Sequence, residues 1–465
     1  MPPSGSIGIG GDRAPPKFAS ILGLGFGDCG KGLFTDFLCR RWNAHTVVRF
    51  NGGAQAGHNV VLPDGRHHTF SQFGAGSFLP HMRTVLAAPV VVHPTALLIE
   101  NRFLSRAGVH HALGRLVIDG RCRINTPFHQ AAGRLREWMR GSAAHGTCGI
   151  GFGETVRHSI ARPDLTLRYD DLAQPRMAAE KLEAIRIDLG ADFESLRRAP
   201  FNTRGSDPSS RGQIGTELGV LRDQEISMRW FESIAELLRS VPPADSNAIA
   251  PIFHAPGTVL FEGAQGILLD EWNGFHPHTT WSSVHGGAVD ALAAEWGLTE
   301  PVHHLGVLRS YLTRHGHGPF PTHDPELDAL AEPHNGQDGW QGGFRRGHPD
   351  EVLLRYALDA IGPLSGLLVS HLDAIEKSPR GLQWCRAYDI EGGDRIERLH
   401  PGEKRDLARQ EAWTENLKRA NPCYEAQPIR DSSVLLERLA TISKLPILFG
   451  SRGNTYLDVE KNKAK

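Results

Sequence analysis

The residues best suited to chemistry lie in a glycine-rich loop near the amino terminus, Gly27, Asp28, Gly30, Lys31 and Gly32. Backbone without side chains can approach a phosphate closely, and the amino terminus of a following helix adds free N–H groups and partial positive charge. The spacing Gly25-x4-Gly30-Lys31 matches the front of a Walker A loop, but Gly32 replaces the Ser or Thr whose hydroxyl binds Mg²⁺. The alternative is a glycine-rich turn with a surface aspartate.

Asp28 is the unusual residue of this loop. A carboxylate beside a polyphosphate is unfavourable unless it binds a metal ion or accepts a proton. A second predicted strand, residues 46–50, runs into another glycine-rich turn that contains Gln55, Gly57 and His58. Two such turns after strands are typical of a nucleotide site in an open sheet. For His58, a catalytic role and a purely local hydrogen-bonding role both stay open.

The elements that must position these loops alternate between apolar strands and amphipathic helices. This alternation predicts an α/β fold with a large, mostly parallel central sheet flanked by helices. No linker is evident, so we expect a single domain over residues 18–465, preceded by a flexible tail at 1–17. We also expect a surface loop or insertion at 202–212 and a long loop or flap at 315–349, because both are rich in turn-forming residues.

Composition narrows the class of protein. The 465 residues carry a formal net charge of −1, so no global field attracts nucleic acid or an anionic membrane. The six cysteines are scattered without a CxxC pair, which favours free thiols and a cytoplasmic location. The tail lacks the apolar core of a signal peptide, and no apolar run approaches the roughly 18 residues of a membrane span.

The order of five motifs resembles that of the adenylosuccinate synthetase family. The family sequences GDEGKGK, GGxNAGH, FEGAQGxxLD, TRxGxGPFPTE and SGxxxTKLD are similar to residues 27–33, 52–58, 261–270, 313–323 and 365–373. The resemblance spans roughly residues 18–458. It implies a P-loop-like nucleotide-binding ligase fold with insertions.

The resemblance also implies an activity. The family is a carbon–nitrogen ligase that joins the amino group of L-aspartate to C6 of IMP, through a 6-phosphoryl intermediate, with hydrolysis of GTP. Asp28, His58 and Gln265 are the implied catalytic residues. Asp28 would be the base at purine N1 and, with the Gly57 carbonyl, a ligand of Mg²⁺. His58 would donate to a phosphate oxygen, and Gln265 would lie near the 6-position.

The implied binding residues form two groups. Those for the nucleoside triphosphate are Gly27, Gly30, Lys31, Gly32, Gly57, His371, Asp373, Ser451 and Gly453. Those for the purine monophosphate and the amino acid are Gln55, Thr147, Arg162, Thr280, Arg345 and Arg346. Arg162 resembles a family arginine that reaches the partner's site across a homodimer interface.

The chain departs from the family pattern at several recognition positions. Cys29 and Leu33 replace a loop acid and a loop lysine, and His371 replaces the lysine of the guanine-binding KxD pair. Asp28, Lys31 and His58 all remain. Two alternatives therefore stay open: a specialised paralogue for another purine nucleotide such as GMP, dGMP or an analogue, using ATP or a different amino acid, and a purine nucleotide-binding protein without ligase activity.

Overall fold

The computed structural model describes residues 14–141, 144–198, 208–330, 340–390 and 393–462. In that part of the chain the strands are β1 (Phe18–Gly23), β2 (Thr46–Arg49), β3 (His58–Val61), β4 (His67–Phe70), β5 (Arg83–Leu86), β6 (Val91–Val92), β7 (Leu116–Asp119), β8 (Arg123–Ile124), β9 (Pro243–Ala244), β10 (Val259–Glu262), β11 (Val302–Arg309), β12 (Leu312–His315), β13 (Phe344–Gly347), β14 (Gly366–Ser370), β15 (Cys385–Ile390), β16 (Arg395–Ile396), β17 (Ala420–Tyr424), β18 (Ile447–Ser451) and β19 (Val459–Lys461).

The helices of the same ranges are α1 (Lys31–Arg41), α2 (Pro94–Arg106), α3 (Pro127–Arg140), α4 (Phe152–Ala161), α5 (Pro175–Ala191), α6 (Glu194–Arg198), α7 (Pro208–Arg222), α8 (Glu225–Ser240), α9 (Ser246–His254), α10 (Gly286–Glu295), α11 (Glu351–Ile361), α12 (Asp373–Lys377), α13 (Leu407–Lys418) and α14 (Ser432–Ser443). Proline or a capping side chain starts several of them. Asp350, for example, accepts a hydrogen bond from the Leu353 amide at the start of α11.

The central sheet has ten strands in the order β19-β18-β14-β11-β1-β10-β2-β5-β7-β9. Every neighbouring pair is parallel except β18 with β19. The strands β1 and β14 are buried along their whole length, as expected for strands covered on both faces. The predicted α/β fold with a mostly parallel sheet is therefore confirmed.

Parallel pairing brings the functional loops to one edge of the sheet. The strands β1, β2, β10, β11, β14 and β18 all end at this carboxyl edge. The phosphate-type loop follows β1 and leads into α1, which is anchored by the fully buried side chains of Phe34 and Leu38, four residues apart on one face. A ligand site at this edge is the arrangement expected of an open α/β sheet.

Both loop predictions are partly wrong. Residues 199–207 lie outside the described part of the chain, but 208–212 belong to α7, whose Ile214 and Leu218 are buried in the core. Glycines within α7 disguised its helical period. Residues 331–339 also lie outside the described ranges, whereas 344–347 form β13, which pairs antiparallel with β12. Long-range pairing decides this hairpin, and the local composition did not reveal it.

Candidate active site

A cavity of about 720 Å³ opens at the carboxyl edge of the sheet. The structure brings nine of the predicted residues to its wall: Gly27, Asp28, Lys31, Gln55, Gly57, His58, Thr147, Gln265 and Thr280. The other predicted residues, Gly30, Gly32, Arg162, Arg345, Arg346, His371, Asp373, Ser451 and Gly453, are not among its lining residues.

Steric contacts explain two glycines of the phosphate-type loop. Gly30 precedes α1 with φ of +89°, and a Cβ there would lie 2.8 Å from the Ser370 side chain. A Cβ on Gly32 would lie 2.7 Å from the Asn59 carbonyl oxygen. Lys31 is buried, and its Nζ donates to the Gln265 carbonyl oxygen at 2.6 Å. The loop is therefore packed against β14 on one side and the second glycine-rich turn on the other.

Asp28 adopts a left-handed backbone conformation with φ of +43°. Its carbonyl oxygen accepts a hydrogen bond from Arg309 Nε, and its Oδ2 lies 3.2 Å from His315 Nε2. Burial by itself raises the pKa of Asp28, but the hydrogen bond and charge of His315, with the charges of Arg309 and Lys31, hold the pKa below its usual value. Asp28 is therefore an ionised carboxylate that faces the cavity.

His58 forms a buried pair with Glu262 at the end of β10. Its Nδ1 lies 2.7 Å from Glu262 Oε1, and Glu262 Oε2 accepts from the Ala75 amide at 3.0 Å. Burial lowers the pKa of His58 to about 4, with the charges of Arg49 and Lys31 acting in the same direction and Glu262 opposing them. A carboxylate can only accept, so Nδ1 carries the proton and Nε2 is the acceptor. His58 must therefore gain a proton before Nε2 can donate to a phosphate.

Two glutamines present unpartnered amides at the cavity. The side-chain amide atoms of Gln55 and Gln265 are buried without hydrogen-bond partners among the described residues. Gln265 has φ of +58°, and its amide lies over Gly52, where a Cβ would be 3.2 Å from Gln265 Oε1. Because buried polar groups are normally paired, these amides are suited to hydrogen bonds with a bound molecule.

The two threonines contribute side chains rather than amides. The Thr147 amide donates to Glu137 Oε1 at 3.0 Å, and the Thr280 amide donates to the Leu269 carbonyl at 2.8 Å. Both main-chain donors are thus satisfied within the chain. Both residues line the cavity, and their hydroxyls remain available to a bound molecule.

The β12–β13 hairpin does not bring Arg345 and Arg346 together. Neighbouring residues of a strand point to opposite faces, and Arg346 forms an ion pair with Asp328 at 2.9 Å while Arg345 donates to the Gly316 and Gly318 carbonyls. The two arginines predicted to bind substrate therefore have different partners on opposite faces of β13.

Arg345 instead lies across the hairpin from Arg314, its register partner. Arg314 is buried, lines the cavity and forms no ion pair with a carboxylate of the described chain. Its guanidinium donates to the carbonyls of Pro319 and His317 at 3.1 and 3.2 Å. Burial, with the charge of Arg345, lowers the pKa of Arg314 to about 9. The two guanidinium groups form a concentration of positive charge suited to a carboxylate.

The residues predicted to contact the nucleotide base lie where β14 and β18 end. The Leu372 amide donates to the Ser451 carbonyl at 2.9 Å, and Ser451 Oγ donates to the Gly453 carbonyl at 2.6 Å. Asp373 begins α12 and forms an ion pair with Lys377 at 2.6 Å. This group adjoins the phosphate-type loop through Ser370, whose Oγ donates to the Cys29 carbonyl at 3.0 Å.

Arg162 lies apart from this chain's own cavity. It follows α4, its side chain is 41% exposed, and it forms ion pairs with Asp164 and Asp188 of the same chain. A role in a partner's site stays a prediction.

The donor set of the cavity fits Mg²⁺ better than a transition metal. Asp28 and Gly57 supply a carboxylate and a main-chain carbonyl at the same cavity wall, and oxygen is the ligand that Mg²⁺ prefers. In the described ranges no cluster of three or more His, Cys, Asp or Glu could hold a metal ion. The remaining ligands of a Mg²⁺ ion would therefore be water and phosphate oxygens, as is usual for this metal.

Four residues with clear contacts were not predicted as site residues: Glu262, Arg309, Arg314 and His315. Glu262 had a sequence signal, because a carboxylate directly follows the apolar segment of β10. Arg314 stands at the fixed arginine of the family pattern TRxGxGPFPTE, whereas Arg309 and His315 had no signal beyond their position at the end of a strand.

A mostly parallel sheet with glycine-rich turns and a cavity at its carboxyl edge defines a nucleotide-binding α/β protein. Residues 20–428 match the model of the adenylosuccinate synthetase family. The chain therefore belongs to the adenylosuccinate synthetase family, a family of carbon–nitrogen ligases.

Individual relatives agree with this assignment. The chain is 30% identical over 425 residues to adenylosuccinate synthetase of Neisseria gonorrhoeae, covering 90% of this chain and 89% of the relative. It is 32% identical over 414 residues to that of Mycobacterium tuberculosis, covering 88% and 86%.

Two solved structures share the fold. Fully ligated adenylosuccinate synthetase from Plasmodium falciparum aligns with a TM-score of 0.72 at 21% identity, covering 96% of this chain and 100% of that one. Succinoaminodeoxyadenylate synthetase (PurZ) of cyanophage S-2L, bound to dGMP and to dATP as an energy donor, aligns with a TM-score of 0.57 at 16% identity, covering 96% and 95%. Within the described residues, no helix is both long enough and apolar enough to cross a membrane.

Proposed function

We propose that the protein joins the amino group of L-aspartate to C6 of IMP with hydrolysis of GTP, giving adenylosuccinate. The main support for this proposal is that Asp28, Lys31, His58 and Gln265 line one and the same cavity at the carboxyl edge of the sheet. A purine 6-oxygen is a poor leaving group. Phosphorylation makes it a good one, and an amine can then displace phosphate.

Each residue has a distinct part in this chemistry. The ionised Asp28 accepts the proton from purine N1, which makes the 6-oxygen nucleophilic toward the γ-phosphate. Lys31 and the amides of the phosphate-type loop neutralise and position the phosphates. His58, protonated when the phosphate is present, donates from Nε2, and Glu262 stabilises that cation from the other ring nitrogen.

Substrate placement follows from the remaining groups. Gln55 and Gln265 offer their unpartnered amides to the purine nucleotide. We assign the aspartate carboxylates to the part of the cavity wall at Arg314, whose register partner Arg345 adds a second positive charge. Among the described residues neither guanidinium has a carboxylate partner, so the pair favours an anion.

Mg²⁺ would be held by Asp28 and the Gly57 carbonyl. Asp28 would thereby replace the Mg²⁺-binding hydroxyl that Gly32 lacks. When bound, Mg²⁺ would supply positive charge that stabilises the transferred phosphoryl group. For the nucleotide base, Asp373 would accept from guanine, with Ser451 and Gly453 beside it. Arg162 would reach the partner's monophosphate site in a homodimer.

The test is a substrate screen with purified protein. Phosphate release and product mass are measured with GTP or ATP, Mg²⁺, aspartate, and IMP, GMP or dGMP in turn. We expect coupled product from GTP, IMP and aspartate. Product only from GMP or dGMP, or only with ATP, would assign the specialised paralogue, and no coupled product from any combination would leave the purine nucleotide-binding role.

Two variants test the assigned roles. Asp28→Asn is expected to abolish product while GTP still binds, because the amide cannot accept the N1 proton; near-normal turnover would remove Asp28 as the base. Arg162→Leu is expected to raise KM for the monophosphate. An unchanged KM would remove Arg162 from the site.

A further inference from the structure

A second histidine reaches Asp28 from the β12–β13 hairpin. His315 Nε2 lies 3.2 Å from Asp28 Oδ2, and both residues line the large cavity. The His315 ring packs against Phe344, its register partner on β13, with a centroid separation of 4.7 Å. The hairpin therefore fixes the direction of the imidazole. His315 stands at a variable position of the family pattern TRxGxGPFPTE, so the resemblance gives it no role.

Asp28 is held at two points. Arg309 Nε donates to its carbonyl oxygen, and His315 contacts its carboxylate. A non-glycine residue in the left-handed region is unfavourable and persists only when its surroundings hold it there. Asp28, with φ of +43°, fits this description. The main-chain contact fixes the backbone, but only a contact at the carboxylate can fix its orientation.

We propose that His315 is a positioning residue that orients the Asp28 carboxylate by donating from Nε2 to Oδ2, so that Oδ1 is directed to the purine and to the metal ion. The proposal rests on the function proposed above for Asp28. Groups that hydrogen-bond to a metal ligand usually affect metal affinity or activity by roughly ten- to a hundredfold. The contact between His315 Nε2 and Asp28 Oδ2 puts the His315 side chain in such a position.

The variants separate a hydrogen-bond donor from a packing role. His315→Leu removes the donor and keeps an apolar contact with Phe344, whereas His315→Gln keeps a donor near the Nε2 position. His323→Leu is the matched control, because His323 is exposed, stacks on Phe320 and does not line the cavity. Urea unfolding checks that each variant is folded. If His315→Leu does not fold, His315→Asn, which is too short to reach Oδ2, replaces it in the comparison with His315→Gln.

Two readouts are needed. The first is Mn²⁺ affinity of the protein–GTP complex, measured by electron paramagnetic resonance. The second is the split between kcat and KM for coupled product formation. For His315→Leu we expect Mn²⁺ affinity and kcat each to fall roughly ten- to a hundredfold, with KM for IMP changed by less than about threefold. His315→Gln should recover most of both losses, and His323→Leu should match the wild type.

The outcomes distinguish this inference from the proposed function. If the wild-type protein forms no coupled product, the proposed function fails, and Mn²⁺ affinity alone still decides the role of His315. If His315→Leu keeps wild-type Mn²⁺ affinity and kcat, or if His315→Gln recovers no more than His315→Leu, the positioning role is overturned while the proposed function stands. If the wild-type protein binds no Mn²⁺ with GTP, both are overturned.

Discussion

Glu262→Gln is the substitution that tests the electrostatics of the site most directly. Glu262 is fully buried at the end of β10, with one oxygen 2.7 Å from His58 Nδ1 and the other 3.0 Å from the Ala75 amide. Glutamine has nearly the same shape, but it has one acceptor oxygen and no charge. The variant therefore loses one of the two hydrogen bonds and the counter-charge of a protonated His58.

The magnitude follows from these contacts. A hydrogen bond to a charged group contributes about 1.5–3 kcal/mol. Since about 1.4 kcal/mol corresponds to a factor of ten in rate, kcat should fall by roughly 10- to 150-fold if His58 donates to the phosphate. The free energy of unfolding should also fall, by about 1–3 kcal/mol, because one buried hydrogen-bond donor is left unpaired and the buried Arg49 loses a nearby opposite charge.

The assay is coupled phosphate release with GTP, IMP and aspartate, together with urea unfolding. Glu100→Gln is the matched control. Glu100 is also buried beside a histidine, His68, and accepts the amides of Ser71 and Gln72 at 2.9 Å, but it does not line the cavity. The control should lose stability and keep kcat. A Glu262→Gln enzyme with kcat within about threefold of wild type, below the range set by one charged hydrogen bond, would falsify the reasoning.

Three further predictions concern the loop, the core and the hairpin. Gly30→Ala should cost about 2–4 kcal/mol of unfolding free energy, because its Cβ would meet a β14 side chain at 2.8 Å in addition to the backbone strain. Gly27→Ala should cost about half of that, because no atom lies within 4 Å of its Cβ and only the backbone strain applies. Equal losses of stability in urea unfolding would contradict the steric account. Burial raises the pKa of Asp350 to about 7, so ionisation of this carboxyl opposes folding increasingly as pH rises from about 4 to about 7. The free energy of unfolding of Asp350→Asn should therefore exceed that of the wild type by up to about 2 kcal/mol between about pH 5 and about pH 8. Equal stability of the two proteins in urea unfolding over this pH range would refute the prediction. Arg345→Leu should raise KM for aspartate more than about tenfold, because it removes one of the two neighbouring positive charges. Arg346→Leu should change KM less than about twofold, because the ion pair of Arg346 lies on the other face of β13, and the opposite order of effects would assign the amino acid to Arg346 instead.

Local chemistry made the phosphate-type loop predictable. The glycine spacing and Lys31 require a close backbone approach and a cation, and these follow from residue types alone. The same holds for the parallel sheet, because apolar strands that alternate with helices have few other ways to bury both faces. The hairpin of β12 and β13 was missed, since its strands are joined across 28 intervening residues and nothing in either strand specifies the other.

The functional site likewise divides into features that the sequence determined and features that the tertiary structure decided. The sequence by itself determined that Asp28, Lys31 and His58 belong to glycine-rich turns after strands, and parallel pairing then had to bring those turns to one edge. The tertiary structure alone decided the partners: Glu262 on His58, His315 and Arg309 on Asp28, and Arg314 in place of Arg346 beside Arg345. The physical reason is that hydrogen bonds and close ion pairs need their atoms within a few ångströms of each other. Residues separated by more than 200 positions in the chain meet only after the sheet has formed.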